Sequence, residues 1–128
     1  MKSGLKFFKC MHCGNIVEMV HSGGGILVCC GDPMNELIAN TSDGANEKHV
    51  PVVSVNGSKV HVAVGSIEHP MLEEHYIMWI VLETCCGVYR KCLKPGEKPE
   101  AVFELSNGEK PVAAYEYCNI HGLWKAEL

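Results

Sequence analysis

The sequence of 128 residues predicts a mainly β protein in which a small metal-binding domain precedes a β-sandwich. Two observations predict this class. Four cysteines lie among glycines in the first 38 residues, a segment too short to fold on an apolar core alone. From residue 47 onward, short runs rich in β-branched and aromatic residues are separated by turn sequences, as in sandwiches.

Composition narrows the class of protein further. A net charge of -4 and scattered basic residues argue against a nucleic-acid surface. The longest apolar run, Tyr76 to Leu82, is too short to span a bilayer, and Met1 to Lys9 lacks the apolar core of a signal peptide. We therefore expect a soluble protein that is not exported. In that setting the eight cysteines favour metal binding over four disulfides.

The first domain is predicted to span residues 1–38. Leu5 to Lys9, Ile16 to Val20 and Ile26 to Val28 are expected to be short strands around a glycine-rich turn. The glycines that follow each cysteine group permit tight turns in which backbone N–H groups can point at sulfur. A bound metal should supply much of the stability of this domain.

Four cysteines in this domain form the strongest motif of the chain: Cys10, Cys13, Cys29 and Cys30. A C-x-x-C sequence with a second pair nearby suits tetrahedral thiolate ligation, and the adjacent pair should distort the tetrahedron. Spacing does not choose between zinc and iron, and by spacing alone a structural zinc ribbon is favoured. His12 is expected to face solvent.

Residues 39–46 are small and polar and are predicted to be a linker, and residues 47–128 a β-sandwich. Asn56-Gly57 predicts a hairpin turn, and Lys59 to Val64 alternates so that its three valines share one face. Six or seven strands are expected, at Val50 to Val55, Lys59 to Val64, Tyr76 to Thr84, Gly87 to Leu93, Ala101 to Leu105 and Val112 to Cys118.

A second group of candidate ligands lies in this region. Cys118 and His121 form a Cys-x-x-His sequence closed by Gly122, while Pro70 argues that His69 and His75 belong to a loop able to surround an ion. The hypothesis is a redox-active iron with one open coordination position, held by His49, His69, His75, Cys118 and His121. His61 and His21 are expected to be surface residues.

The chain resembles the desulfoferrodoxins, the two-iron form of superoxide reductase, over essentially its whole length. The resemblance is carried by seven segments: Cys10 to Glu18, Cys29-Cys30-Gly31, Glu47 to Val52, His69-Pro70-Met71, Glu74 to Ile80, Leu93 to Gly96, and Tyr117 to Lys125.

The resemblance implies a desulforedoxin-like (rubredoxin-like) first domain with iron on four cysteines. It also implies an immunoglobulin-like second domain whose iron is bound by four histidines in a plane, with Cys118 as the axial ligand. It further implies a cytoplasmic homodimer that reduces superoxide to hydrogen peroxide with electrons from rubredoxin or a similar donor.

Two residues are assigned roles beside the second iron. Lys48 is expected to hold positive charge over the open position and to organise a proton-bearing water. By the resemblance, Glu47 can occupy the sixth position of the oxidised iron. Two alternatives stay open, a non-enzymatic zinc-ribbon and sandwich module, and an electron carrier that uses only the four-cysteine iron.

Three cysteines, Cys85, Cys86 and Cys92, fall outside both ligand groups. They are expected to be reduced, half-buried thiols that do not form a third metal site. A disulfide between Cys92 and one of the other two is the alternative under oxidation.

Overall fold

The computed structural model describes residues 2–128 as two compact units, one of them Gly4–Ile38 and the other Ala39–Leu128 together with Lys2 and Ser3. Strands are the main regular structure of both units, and the single α-helix of the described residues has four residues. Among those residues, no helix has the length and apolar character needed to cross a lipid bilayer.

The first unit contains five very short strands. They are β1 (Phe7–Lys9), β2 (Ile16–Glu18), β3 (Val28–Cys29), β4 (Asp32–Pro33) and β5 (Asn35–Glu36). Strand β1 lies between β2 and β5, and β3 pairs with β4 as a separate ribbon. Such short ladders leave most of this unit in turns and irregular segments. We therefore expect a bound metal to supply much of its stability.

The second unit is a sandwich of seven strands entered through one helical turn. Its elements are α1 (Asn46–His49), β6 (Pro51–Asn56), β7 (Lys59–Val64), β8 (Ile77–Thr84), β9 (Val88–Cys92), β10 (Glu100–Glu104), β11 (Pro111–Cys118) and β12 (Gly122–Glu127). One sheet has the order β10-β7-β6 and the other the order β12-β11-β8-β9, with antiparallel pairing throughout.

The core between the two sheets follows the alternation of the sequence. The three valines of β7 are at most 1% exposed and pack with Ile80 and Leu82 of β8 and with Phe103 of β10. The predicted inward face of β7 is therefore confirmed. His61 points the other way and is partly exposed, and its Nε2 lies 3.0 Å from Glu100 Oε2 on the neighbouring strand.

Two elements of the second unit were not predicted. Strand β12 was missed because Leu123 and Trp124 are both buried, so the period of two that marks a half-exposed strand is absent. Helix α1 is too short to show any helical periodicity. Both elements carry or support residues of the second ligand group.

Candidate metal centres

The four cysteines of the first unit converge on one point. The Sγ atoms of Cys10, Cys13, Cys29 and Cys30 all lie within 4.8 Å of one another. The Cys29 Sγ is 3.7 Å from that of Cys13 and 3.9 Å from that of Cys30. Four thiolates at about 2.3 Å from a central ion stand about 3.8 Å apart in a tetrahedron. The separations therefore fit a tetrahedral ion.

Local backbone geometry explains how adjacent cysteines reach one ion. Cys30 has a positive φ of 53°, and Gly31 follows with φ of 80°. A left-handed conformation at a residue other than glycine is uncommon and turns the side chain away from its usual direction. This brings the Cys30 sulfur beside that of Cys29. The local distortion that the sequence predicted for this pair is thus taken up by the backbone.

Hydrogen bonds at the other turn prepare a thiolate. The backbone N–H groups of His12 and Cys13 both point at Cys10 Sγ, at 3.4 Å each. These contacts lower the pKa of Cys10 to about 6, with the Cys13 N–H as the largest cause. Contacts with the sulfurs of Cys13 and Cys10 raise the pKa of Cys30 to about 12, because neighbouring sulfurs oppose a second negative charge. A cation would relieve that opposition.

His12 is exposed, as predicted, but it is not isolated. Its Nε2 lies 2.5 Å from the Asp32 carboxylate, so the two cysteine-bearing turns are also joined by a polar pair on the surface. Both side chains are more than half exposed, and such pairs contribute little to stability.

The second ligand group lies at one end of the sandwich. In these antiparallel sheets the start of β6, the end of β7, the start of β8 and the β11–β12 turn share that end. His49 ends α1 just before β6, His69 and His75 lie in the β7–β8 loop, and Cys118 and His121 flank the turn. The register shift between Tyr117 and Cys118 is a local irregularity of the kind that re-aims a side chain.

The four imidazole rings form a closed cycle. Centroid distances are 4.7 Å from His49 to His69, 4.6 Å from His69 to His75, 5.0 Å from His75 to His121 and 4.8 Å from His121 to His49. Each contact is edge-on, and Cys118 Sγ lies 3.8 Å from His121 Nδ1. One ligand atom from each of the five residues falls within 4.8 Å of the others.

The hydrogen bonds of two rings identify their tautomers. His49 Nδ1 lies 2.8 Å from the Ala45 carbonyl oxygen, and His69 Nδ1 lies 2.7 Å from that of Pro70. Carbonyls only accept, so both Nδ1 atoms carry the proton and both Nε2 atoms present lone pairs. Those Nε2 atoms face each other at 3.2 Å. Opposed lone pairs repel, and a cation between them removes the repulsion, so the arrangement fits a bound metal.

Burial favours the neutral form of His49, His69 and His75, which is the form that binds metal. It is the largest cause that lowers the pKa values of His49, His69 and His75, and that of His69 falls to about 4. The buried Nε2 of His75 has no hydrogen-bond partner among the described residues, which also fits an ion. Burial raises the pKa of Cys118, and the N–H groups of His121 and Ile120 lower it in opposition.

Three further residues hold the group in place. The Trp124 ring stacks on His49 at 4.9 Å, and its Nε1–H donates to the His121 carbonyl at 3.1 Å. A Cβ on Gly44 would lie 3.1 Å from both rings, so glycine permits this packing. The Asn119 side chain accepts from the Tyr76 N–H and donates to the Glu74 carbonyl, which ties the turn to the loop that carries His75.

Sequence reasoning did not find these supporting residues. The only available signal was position, since Trp124 follows His121 by three residues and Asn119 follows Cys118 directly. It also missed Glu116, which is fully buried on β11 and has no hydrogen-bond partner within residues 2–128. Burial raises the pKa of Glu116 well above its usual value, because it disfavours the charged carboxylate.

Glu47 and Lys48 lie on α1 immediately before His49, with exposed side chains. The Glu47 carbonyl accepts from the Ile67 N–H at 2.8 Å, and a Cβ on Gly65 would lie 2.7 Å from the same oxygen. Close contact with the β7–β8 loop therefore fixes this turn. Lys48 borders an open cleft of about 690 Å³ that His69 and Lys98 also line, and its charge helps to lower the pKa of His75.

Fold and site together define a class of small β proteins with two groups of candidate metal ligands, one of four thiols and one of four imidazoles with a thiol. Comparison with known families narrows this class. The family model described as desulfoferrodoxin matches residues 41–127, and that of the desulfoferrodoxin N-terminal domain matches residues 3–37. The chain belongs to the desulfoferrodoxin family.

Individual relatives agree with this assignment. The chain is 53% identical over 127 residues to the desulfoferrodoxin of Nitratidesulfovibrio vulgaris, covering 99% of each chain. It is 36% identical over 105 residues to the superoxide reductase of Pyrococcus horikoshii, covering 69% of this chain and 91% of that one. The structure of the superoxide reductase from Treponema pallidum matches with a TM-score of 0.82 and 38% identity, covering 98% of this chain and all of that one. The predicted fold class, a desulforedoxin-like domain followed by a β-sandwich, is confirmed.

Proposed function

We propose that the chain is a superoxide reductase, which takes up one electron and two protons per superoxide and forms hydrogen peroxide. The observation that carries the proposal is the closed cycle of four imidazoles joined to the buried Cys118 thiol. An iron ion bound by His49, His69, His75, His121 and Cys118 would supply the electron. The relatives named superoxide reductases support this activity.

The residues of the chain make this site attractive to a small anion. Because imidazole binds metal in its neutral form, Cys118 is the only donor of the group that binds as an anion, and a ferrous site would keep net positive charge. The whole protein carries a net charge of -4, so attraction must be local. Lys48 supplies a second local positive charge at the rim of the cleft beside His69.

We further propose that Lys48 guides superoxide to the site and holds a proton-bearing water there. Glu47, the preceding residue on the same exposed helical turn, would be the carboxylate that binds the oxidised iron. The backbone hydrogen bonds of α1 support both roles, because they hold this turn against the loop that carries His69.

The remaining assignments are proposals of the same kind. The first iron is bound by Cys10, Cys13, Cys29 and Cys30, and the histidine–cysteine group binds the second. The domain limits are 1–38 and 47–128, with a linker at 39–46. Rubredoxin or a similar small protein donates electrons in the cytoplasm, a location that suits eight free thiols.

The exposed apolar side chains of Val17, Val20 and Val28 lie around one groove and support a homodimer. Analytical ultracentrifugation tests this oligomeric state.

Pulse radiolysis of the Lys48→Ala variant tests the role of Lys48. We expect the reaction with superoxide to slow by about tenfold, because local charge raises association rates by 10-fold or more, while the iron content stays the same. Lys98→Ala is the matched control, since Lys98 borders the same cleft but is paired with Glu100 at 3.7 Å. If Lys48→Ala and Lys98→Ala react with superoxide at equal rates, Lys48 does not guide superoxide to the site.

Two measurements separate the function from its alternatives. Peroxide formed per donor oxidised distinguishes a reductase from a dismutase, which needs no donor. Metal analysis with visible absorption and EPR spectra distinguishes the reductase from the interaction module and from the electron carrier. A colourless protein that holds only zinc would support the interaction module, and iron confined to the four-cysteine group would support the electron carrier.

A further inference from the structure

A second pair of adjacent cysteines lies at the tip of the β8–β9 hairpin. Cys85 and Cys86 lie between Thr84 and Gly87, whose N–H and carbonyl close the turn at 2.9 Å. Cys86 is exposed and Cys85 is partly buried, and their Sγ atoms are 3.8 Å apart. Both thiols are therefore oriented to the same side of an accessible turn.

The spacing of this pair matches that of ligands in the same chain. Cys29 and Cys30, which belong to the four-thiol group, have Sγ atoms 3.9 Å apart. The edge of a thiolate tetrahedron around zinc is about 3.8 Å, from bonds of about 2.3 Å. Cys85 and Cys86 thus occupy one such edge without any movement.

The surroundings of the pair favour a cation. The Lys110 N–H donates to Cys85 Sγ at 3.3 Å, which stabilises negative charge on that sulfur. Contact with Cys85 raises the pKa of Cys86, and the negative charge of Glu109 adds to the effect. Glu109 is itself fixed by the Tyr89 hydroxyl at 2.7 Å and the Ser106 N–H at 3.1 Å. A bound cation would replace the thiol protons and face a carboxylate.

The third cysteine of this region is separate from the pair. Cys92 lies opposite Trp79 in the β8–β9 ladder, and the six steps from Trp79 to Cys85 span about 20 Å of strand at about 3.3 Å each. A disulfide between Cys92 and Cys85 or Cys86, the alternative raised from the sequence, is excluded by this distance.

A disulfide within the pair is also disfavoured. Adjacent Cα atoms stand about 3.8 Å apart, below the usual range of about 4.4 to 6.8 Å for bridged cysteines. The sulfurs would have to approach from 3.8 Å to about 2.05 Å. Chelation needs no such contraction.

We propose that Cys85 and Cys86 form a two-thiolate chelating site for a soft metal ion such as Zn²⁺, separate from both ligand groups of the family. Thiolates select ions of this class. On binding, each thiol loses one proton to solvent and gains one sulfur–metal bond, with no change of oxidation state. Water completes the coordination of the ion on the exposed side.

Native mass spectrometry of the protein purified with both irons, before and after addition of a small excess of Zn²⁺, tests the site. We expect one additional zinc per chain and unchanged iron content. Alkylation followed by peptide mapping gives the location, because a metal-bound thiolate is a poor nucleophile. Modification of Cys85 and Cys86 should slow by about tenfold or more with zinc, while that of Cys92 should not change.

Single variants complete the test. Cys85→Ser and Cys86→Ser should each lose the additional zinc, and Cys92→Ser, which alters an exposed thiol of the same hairpin, should retain it. The proposal is overturned if no additional zinc binds, if zinc appears only in place of iron, or if Cys92 is protected equally. Should a serine variant fail to fold, the alkylation pattern of the unaltered chain still decides.

Discussion

The two groups of candidate metal ligands are held in position by different kinds of structure. The four thiols of the first unit are held by short strands and turns, and two of them, Cys13 and Cys30, are exposed. In the histidine–cysteine group, Cys118, His49 and His69 are at most 2% exposed and are anchored by a sandwich with its own core. We therefore expect the first unit to need a bound metal for folding, and the second to keep its fold without one.

The largest expected effect follows from removing one ligand in each unit. Cys13→Ala should release the first iron and unfold Gly4–Ile38, because structural metal binding at such sites is worth about 10 kcal/mol or more. Cys118→Ala should release the second iron and leave the sandwich folded. Hydrogen exchange with iron analysis measures both outcomes. If amides throughout Gly4–Ile38 stay protected in the Cys13 variant, the first unit does not need its metal for folding and the prediction is wrong.

Acid should act strongly on the second unit. The lowered pKa values of its buried histidines mean that the unfolded chain takes up protons first as the pH falls below 6.5. Stability of the metal-free protein should therefore be complete above pH 6.5 and decline below it. His69 should contribute about 1.4 kcal/mol per pH unit down to about pH 4, and His49 and His75 should act in the same direction.

Tryptophan fluorescence in urea measures this decline, since Trp79 and Trp124 both lie in the second unit. His21→Gln is the control, because His21 is an exposed residue of the first unit and should leave the slope unchanged. An unfolding midpoint that is constant from pH 7 to pH 4.5 would contradict the prediction.

A smaller effect is expected at the residue that supports the ring cycle. Trp124→Leu removes the stacking on His49 and the hydrogen bond to the His121 carbonyl. Losing a buried tryptophan costs about 3 kcal/mol or more, and iron should bind less tightly at the second centre only. Trp124→Phe keeps a ring for stacking and should recover part of the loss. Chelator competition followed by visible absorption compares the two variants.

The smallest effect should follow from His12→Ala. This change removes the pair with Asp32, but both side chains are largely exposed, so we expect a cost of about 1 kcal/mol or less. Thermal unfolding of the iron-loaded protein measures it. A loss as large as that of a cysteine ligand would mean that this surface pair, and not the metal alone, holds the two turns together.

Sequence reasoning succeeded where the signal is local. The C-x-x-C motif and the alternation of Lys59 to Val64 depend on a few neighbouring residues, and the structure shows convergent thiols and a buried valine face there. It failed where burial on both sides hides the period, as at Leu123 and Trp124. The partner of His61 was missed because it lies on β10, far along the chain.

The sequence by itself determined the residue types at both ligand groups and most of the strands, because spacing and alternation are properties of neighbours in the chain. Only the tertiary structure decided that His49, His69, His75 and His121 form a closed cycle, since these residues meet through the pairing of strands distant in sequence. It also separated Cys92 from Cys85 and Cys86, because strand register, and not the count of cysteines, sets the distance between them.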